Sequence, residues 1–262
     1  MTSGEIDNSS KAKAIALELR KVGKVFRSDT GANVTALKDV NLLVRQGEFV
    51  TLVGATGCGK TTLLNLIAGL DTPDEGYLFL GQGLRFGYNI AHVFQHYTLF
   101  PWRTAVSNVS FGLQMRGVPR MQRQAGAAAL LTKVGLKGFE NAYPHELSGG
   151  MRQRAAIAQA LSIEPTLLLM DEPFGAVDDS TRTDLQQMLT DLWQENQTTV
   201  IFVTHNIDEA IVLGGRVLVF SKRPGRIACE FKIDLPRPRD QMNREFTKLF
   251  IQIRTALSGQ LD

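Results

Sequence analysis

Hydrophobic and polar positions hold one period for a stretch and then switch to another. From Ile15 to Val53 apolar residues recur in short alternating runs, IALELRKVGKVF and NVTALKDVNLLVRQGEF. That period belongs to strands, with turns at Asp29-Thr30-Gly31 and Gln46-Gly47. EFVTLVG reads as a short buried strand, and TTLLNLIAGL after it has leucine and isoleucine at helical spacing. YLFLGQG and IAHVFQ predict two more strands. Helical spacing then dominates from about Thr104 to Leu161, broken at Gly117-Val118-Pro119, Gly135 to Gly138 and Tyr143-Pro144. TLLLMDE and TTVIFVTH are buried strands, each followed by a helix: STRTDLQQMLTDLWQEN, with Ser180 as its expected N-cap, and NIDEAIVLG. RVLVFSKRPGRIACEFKIDL predicts a hairpin turned at Pro224-Gly225, and the C-terminal RDQMNREFTKLFIQIRTALSG a helix. Strand–helix alternation of this kind implies an α/β fold on a parallel sheet. The all-helical middle block implies an inserted subdomain.

The chemistry sits where strands give way to helices. GATGCGKTT joins a strand to a helix through Gly54, Gly57 and Gly59, which are expected to take positive φ and turn backbone N–H groups inward. The helix N-terminus adds partial positive charge, and Lys60 a full one. The spacing Gly54-x4-Gly59-Lys60-Thr61 fits a phosphate-binding loop with Thr61 placed to ligate Mg²⁺. LLLMDEP delivers Asp171 and Glu172 to the carboxyl end of a strand, the end that faces ligands in open α/β sheets. Successive strand residues point opposite ways, so Asp171 can reach the metal while Glu172 polarises a water in line with a γ-phosphate. Ser148 opens ELSGGMRQRAAIAQAL as an N-cap, and Gly149 and Gly150 leave N–H groups bare, which makes a second anion-binding helix mouth.

Composition narrows the setting. At 262 residues and 44% hydrophobic content the chain can bury a substantial core. A net charge of +3 is too small to argue for nucleic acid. Cys58 and Cys229 lack pairing or metal spacing, which suits a reducing compartment. Residues 1–13 are expected to form a flexible polar tail. No apolar run approaches the roughly 18–20 residues that span a bilayer, so any membrane crossing falls to another chain.

Taken in order, these motifs resemble the ATP-binding subunit of an ATP-binding cassette (ABC) transporter. GATGCGKTT is similar to the Walker A loop, LSGGMRQR to the signature, LLLMDEP to the Walker B strand and FGAVDD to the D-loop. VFQ, ending at Gln95, resembles the Q-loop, and VTH, ending at His205, the H-loop. The match runs from Ile15 to about Ile227; its departures (Ala55 and Thr56 for Pro-Ser, Val177 for leucine, Asn206 for aspartate) remove no catalytic group. The resemblance implies a P-loop NTPase cassette over 14–228 with a RecA-like parallel-sheet core, an N-terminal antiparallel β-subdomain and an inserted α-helical subdomain at about 98–160, followed by a short C-terminal extension, 229–262. It implies ATP and Mg²⁺ as ligands. Catalysis would fall to Glu172, His205, Gln95 and Lys60, and the metal to Thr61, Gln95 and Asp171. ATP would also meet Phe26, Gly54, Ala55, Thr56, Gly57, Cys58, Gly59 and Thr62. Phe26 matches the adenine-stacking aromatic, and a core phenylalanine at a strand end is the equal alternative. In such proteins two cassettes pack head to tail, so Leu147, Ser148, Gly149, Gly150 and Asp178 would complete a partner's site.

Phe100, Pro101 and Trp102 form a rigid apolar patch after Gln95, either packed locally or forming part of the groove for a permease helix. LFPW and FSKRPGRI resemble the importer group serving nitrate, bicarbonate, sulfonate and taurine, with riboflavin and pyrimidine-precursor importers as near relatives. The implied partners are a second cassette, an integral permease and, through the complex, an extracytoplasmic solute-binding protein. The implied location is peripheral, on the cytoplasmic face of the membrane. A soluble cassette protein of translation or repair usually carries two cassettes or a coiled-coil insertion, and neither is present here. No Asn-Lys-x-Asp motif for guanine occurs. Cys58, two residues before Lys60, is expected to have its thiolate stabilised by that cation and the helix mouth, or else to be a small buried residue of ordinary reactivity.

Overall fold

A computed structural model describes residues 13–27, 32–85, 88–95, 98–175 and 177–259. Residues 1–12 of the expected tail and the Asp29-Thr30-Gly31 turn lie outside the described residues. The chain opens with β1 (Ile15–Arg27) and β2 (Asn33–Arg45), then β3 (Phe49–Val53), α1 (Lys60–Ile67), β4 (Glu75–Leu80) and β5 (Ile90–Val93). Four helices follow: α2 (Ala105–Val109), α3 (Phe111–Met115), α4 (Arg120–Lys133) and α5 (Gly149–Leu161). The remainder alternates: β6 (Leu167–Asp171), α6 (Asp179–Asn196), β7 (Thr199–Thr204), α7 (Ile207–Leu213), β8 (Arg216–Phe220), β9 (Ile227–Lys232) and α8 (Arg244–Ser258).

Two sheets result. A six-stranded sheet has the order β5-β6-β7-β3-β8-β9, parallel except for the β8–β9 hairpin. Every residue of β3, β6 and β7 is buried. This is why those segments read as unbroken apolar runs: a parallel sheet covered on both faces has no wet side to encode. The second sheet, β2-β1-β4, is antiparallel, and its alternating pattern reflects one buried and one exposed face. Its inner side chains, among them Leu17, Leu19 and Val40, join Leu52, Leu63 and Ile67 in one core. A second core ties the helical block to the other face of the main sheet, through Leu131, Ile157, Phe174 and Phe202. α7 and α8 close a third around Val219, Phe246 and Ile253. This is the cassette architecture the sequence implies. The main sheet continues through β9, across the expected boundary at residue 228.

One cap differs from expectation. α6 is capped by Asp178, whose carboxylate accepts from the Thr181 N–H at 2.9 Å; Ser180 is already inside the helix and donates its hydroxyl to Asp178 at 2.7 Å. A full negative charge suits a helix N-terminus better than a hydroxyl does.

Candidate nucleotide site

β3 lies at the centre of the parallel sheet, between β7 and β8. The loop between β3 and α1 therefore opens beside the carboxyl ends of β6 and β7, where α/β sheets bind ligands. There a cleft of about 520 Å³ is lined by Thr56, Gly57, Gly59, Lys60, Thr61 and Thr62 from the loop and helix start, by Gln95, Glu172 and His205 opposite, and by Phe26 at the rim. Gly54, Ala55, Cys58 and Asp171 do not line it directly.

The loop is held on several sides. Gly57 and Gly59 have φ of 76° and 110°, as a tight loop requires. Gly54 does not; it is glycine because a Cβ there would lie 2.9 Å from both Cys58 Sγ and Phe220 Cβ. A Cβ on Gly59 would meet the Ala36 carbonyl of β2 at 2.9 Å, and one on Gly225, in the β8–β9 turn, would meet the Cys58 carbonyl at 2.2 Å. Gly225 also donates its N–H to Ala36 O at 2.8 Å, and Arg223 donates to Gly57 O at 3.0 Å.

Lys60 is 4% exposed, and its Nζ donates to the carbonyls of Gly54 (2.8 Å) and Ala55 (2.9 Å). It stands 3.8 Å from Glu172 Oε1. Glu172 follows the last residue of β6 with φ of 42°, a left-handed conformation that costs a non-glycine residue about 1 kcal/mol or more. Its N–H bonds Val203 O at 2.9 Å, and its carboxylate Oε2 sits 2.8 Å from His205 Nδ1, which extends from the end of β7. Asp171 beside it is buried. Burial raises its carboxyl above the usual range, and a hydrogen bond from the Thr61 hydroxyl opposes that shift.

Phe26 is 42% exposed at the end of β1, with Lys24 Nζ 5.5 Å from its ring centre. That exposure removes the core-phenylalanine alternative. Cys58 is buried, and burial pushes its thiol up despite Lys60 nearby. The expected stabilised thiolate is therefore not found: desolvation outweighs a cation already shared with two carbonyls. The cleft also contains Arg27, Val34, Ala36 and Arg223, which sequence reasoning missed. Arg223 had one legible signal, a basic residue next to the Pro224-Gly225 turn, but only the hairpin's docking on β2 brings it to the loop.

Leu147, Ser148, Gly149, Gly150 and Asp178 do not line this cleft. Ser148 caps α5, accepting from the Met151 N–H at 3.2 Å. A Cβ on Gly150 would meet Thr181 Cγ2 at 2.4 Å, so α5 and α6 touch there. The Thr181 N–H, followed by the Ser180 and Thr181 hydroxyls, holds the Asp178 carboxyl down to about 2.

A glycine loop and lysine at the head of a central strand, facing two adjacent acids and a histidine from the neighbouring strands, define a P-loop nucleotide-binding protein. Within that class the chain belongs to the ABC transporter family, whose model matches residues 37–175. It is 47% identical over 249 residues to an uncharacterized ABC transporter ATP-binding protein of Methanocaldococcus jannaschii, covering 94% of this chain and 93% of that one. It is 45% identical over 255 residues to a nitrate import ATP-binding protein of Synechocystis, covering 93% and 96%. A solved ATP-binding cassette, a dimer in a post-hydrolysis state bound to ADP and Pi, superposes with a TM-score of 0.73 at 33% identity, over 84% of this chain and all of the other.

Proposed function

We propose that this chain is the ATP-hydrolysing subunit of an importer for a small anion or organic solute of the nitrate, bicarbonate, sulfonate or taurine type. The observation that carries the hydrolytic reading is the Glu172–His205 contact of 2.8 Å, in the cleft that the glycine loop lines and with Lys60 Nζ 3.8 Å from the same carboxylate. Phe26 stacks the base, and the loop N–H groups with Lys60 hold the β- and γ-phosphates. Lys60 releases the Gly54 and Ala55 carbonyls to do so. Glu172 accepts a proton from the attacking water, and His205 orients that water and bonds the γ-phosphate. The Thr61 hydroxyl, the Asp171 carboxylate and the Gln95 amide fit Mg²⁺, because all three offer the oxygen donors that a hard cation takes. Asp171 and Thr61 are already hydrogen-bonded to each other, and Gln95 lines the same cleft. The cation would neutralise charge on the phosphates.

A second copy or a related cassette completes the site with Leu147, Ser148, Gly149, Gly150 and Asp178. In support, the signature helix mouth lies outside its own chain's cleft, and the solved relative is dimeric. Trp102, 72% exposed beside Phe100, is the anchor for a permease helix. The importer reading makes this subunit peripheral, on the cytoplasmic face, reaching a solute-binding protein only through the permease; among the described residues no helix is long and apolar enough to cross a membrane. The solute class rests on the nitrate-import relative and on the Leu99-Phe100-Pro101-Trp102 element.

Glu172→Gln tests the chemistry. It should keep ATP binding, lower turnover by about 10²-fold or more, and leave ATP holding two cassettes together in size analysis. Normal turnover would remove Glu172 from its role. An ATP-bound variant that stays monomeric even with its permease would remove the head-to-tail arrangement.

A further inference from the structure

Away from the nucleotide cleft, a small cavity of about 110 Å³ lies between α6, the carboxyl end of α7 and residues 237–241. Arg237, Arg239 and Gln186 border it. Among the described residues neither arginine has a carboxylate partner. The acids nearest in sequence are engaged elsewhere, Asp234 with Lys232 and Asp240 with the Met242 N–H.

Arg239 is explained by the fold. It donates to the carbonyls of Ile211, Val212 and Gly214, and to Ile233 and Leu235, which caps the C-terminus of α7 with a cation. Arg237 is not explained in this way. It donates only to Val212 O (3.0 Å) and Leu213 O (2.5 Å). Of the five N–H donors in a guanidinium, its Nε–H and one hydrogen on each terminal nitrogen remain uncommitted. Trp193 covers it, with the ring centre 4.7 Å from Cζ. Burial lowers Arg237 to about 10, and burial with its neighbour lowers Arg239 to about 9, so both are still cations at neutral pH.

Gln186 is a second, independent observation. It is 6% exposed, and among the described residues its side-chain amide has no hydrogen-bond partner, although Thr190 Oγ1 bonds its backbone carbonyl at 2.8 Å. Its amide is not sealed from solvent, so its partners can come from the cavity that Gln186 lines. A half-buried arginine with uncommitted N–H donors and the amide of a buried glutamine border one cavity, and a negatively charged acceptor there would complete both. The volume equals the share of roughly three to four waters at about 30 Å³ each, room for a group of three or four oxygens and too little for a nucleotide.

We propose that this cavity binds one small oxoanion, with Arg237 and Gln186 as its principal donors. The bound anion would tie α6, the end of α7 and the C-terminal extension together. Two sources share this chemistry: a transported anion such as nitrate, and the phosphate released by hydrolysis.

Thermal unfolding of the full chain tests it, at constant ionic strength with chloride as the balancing salt, titrated separately with nitrate and with phosphate. The wild type should show a saturable rise in midpoint with at least one of them. Gln186→Leu leaves both arginines and the helix cap in place, and Arg237→Gln removes the uncommitted cation. Each should raise the half-saturating concentration at least tenfold. The glycine loop also accepts phosphate, but it is unaltered in both variants, so its contribution cancels in the comparison. A response to nitrate alone marks the transported type of anion, and one to phosphate alone marks the product. A midpoint that rises without saturating, or saturation unchanged in Gln186→Leu, overturns the proposal. If Arg237→Gln does not fold, Gln186→Leu alone decides.

Discussion

His92, on β5, packs its ring 4.0 Å from that of Phe94, and neither ring nitrogen has a hydrogen-bond partner. Burial lowers it to about 4 from 6.5. The folded chain therefore holds this imidazole neutral, and the unfolded chain takes the proton first. Its contribution to stability is full above pH 6.5 and is lost as pH falls towards 4, about 3 kcal/mol in all at 1.36 kcal/mol per unit. Urea unfolding at pH 7 and pH 4.5 should show a steeper loss in the wild type than in His92→Leu; equal losses would place the ring in contact with water. Cys58 shows the same force in a place where the sequence misled. Reading along the chain puts a lysine two residues away, and that favours a thiolate; only the packing of Phe220 and β2 over the loop reveals that desolvation is larger. The groups proposed for catalysis were legible for the opposite reason. Glu172 and His205 each follow the last residue of a strand and Lys60 opens a helix, and both kinds of boundary are visible in the pattern.

At the scale of elements, α5 and α6 meet closely at a glycine of the LSGG motif. Gly150 is glycine here because Thr181 occupies the space a methyl would need, at 2.4 Å. Gly150→Ala should overpack this joint and lower stability by about 1–3 kcal/mol. Thr181→Ser removes the offending Cγ2 yet keeps the hydroxyl that bonds Asp178 at 2.9 Å, so the double variant should recover much of the loss in a denaturant titration. Additive losses would show that the glycine is needed only for bare N–H groups. Strands and long helices were legible from period alone. The cap of α6 was not, because Asp178, Asp179 and Ser180 are all competent caps and only the backbone turn before the helix selects among them.

For the whole molecule, neither the exposed Trp102 nor the Ser148 helix mouth lines the cleft, and the proposed function assigns both to partners. Gln95 lines the cleft, and Phe100 lies five residues on, packed against Phe111 of α3 with ring centres 4.8 Å apart. A shift of Gln95 on nucleotide binding would move this patch and any permease helix seated on it. Trp102→Ala should lower transport per ATP hydrolysed, or recovery of the complex, while nucleotide affinity of the isolated subunit stays near wild type. Loss of an aromatic anchor of this kind is worth roughly 2 kcal/mol. If both the ratio and the recovery are unchanged, the coupling surface lies elsewhere. Two layers and a parallel core were legible in the sequence, since alternating and unbroken apolar runs mark them. Strand order was not, because the hairpin's docking beside β3 depends on contacts between residues more than 150 positions apart, such as Arg223 with Gly57.

The glycine loop, wedged between Ala36 and Gly225, has a thermodynamic consequence. A phosphate cradle that must fold around its ligand gives up chain entropy at the moment of capture. Here that loss has already been met in folding, when β2 and the β8–β9 turn closed on the loop. Calorimetry of ATP binding to the isolated subunit should therefore show a small heat-capacity change and a modest entropic penalty, both characteristic of a preformed mould.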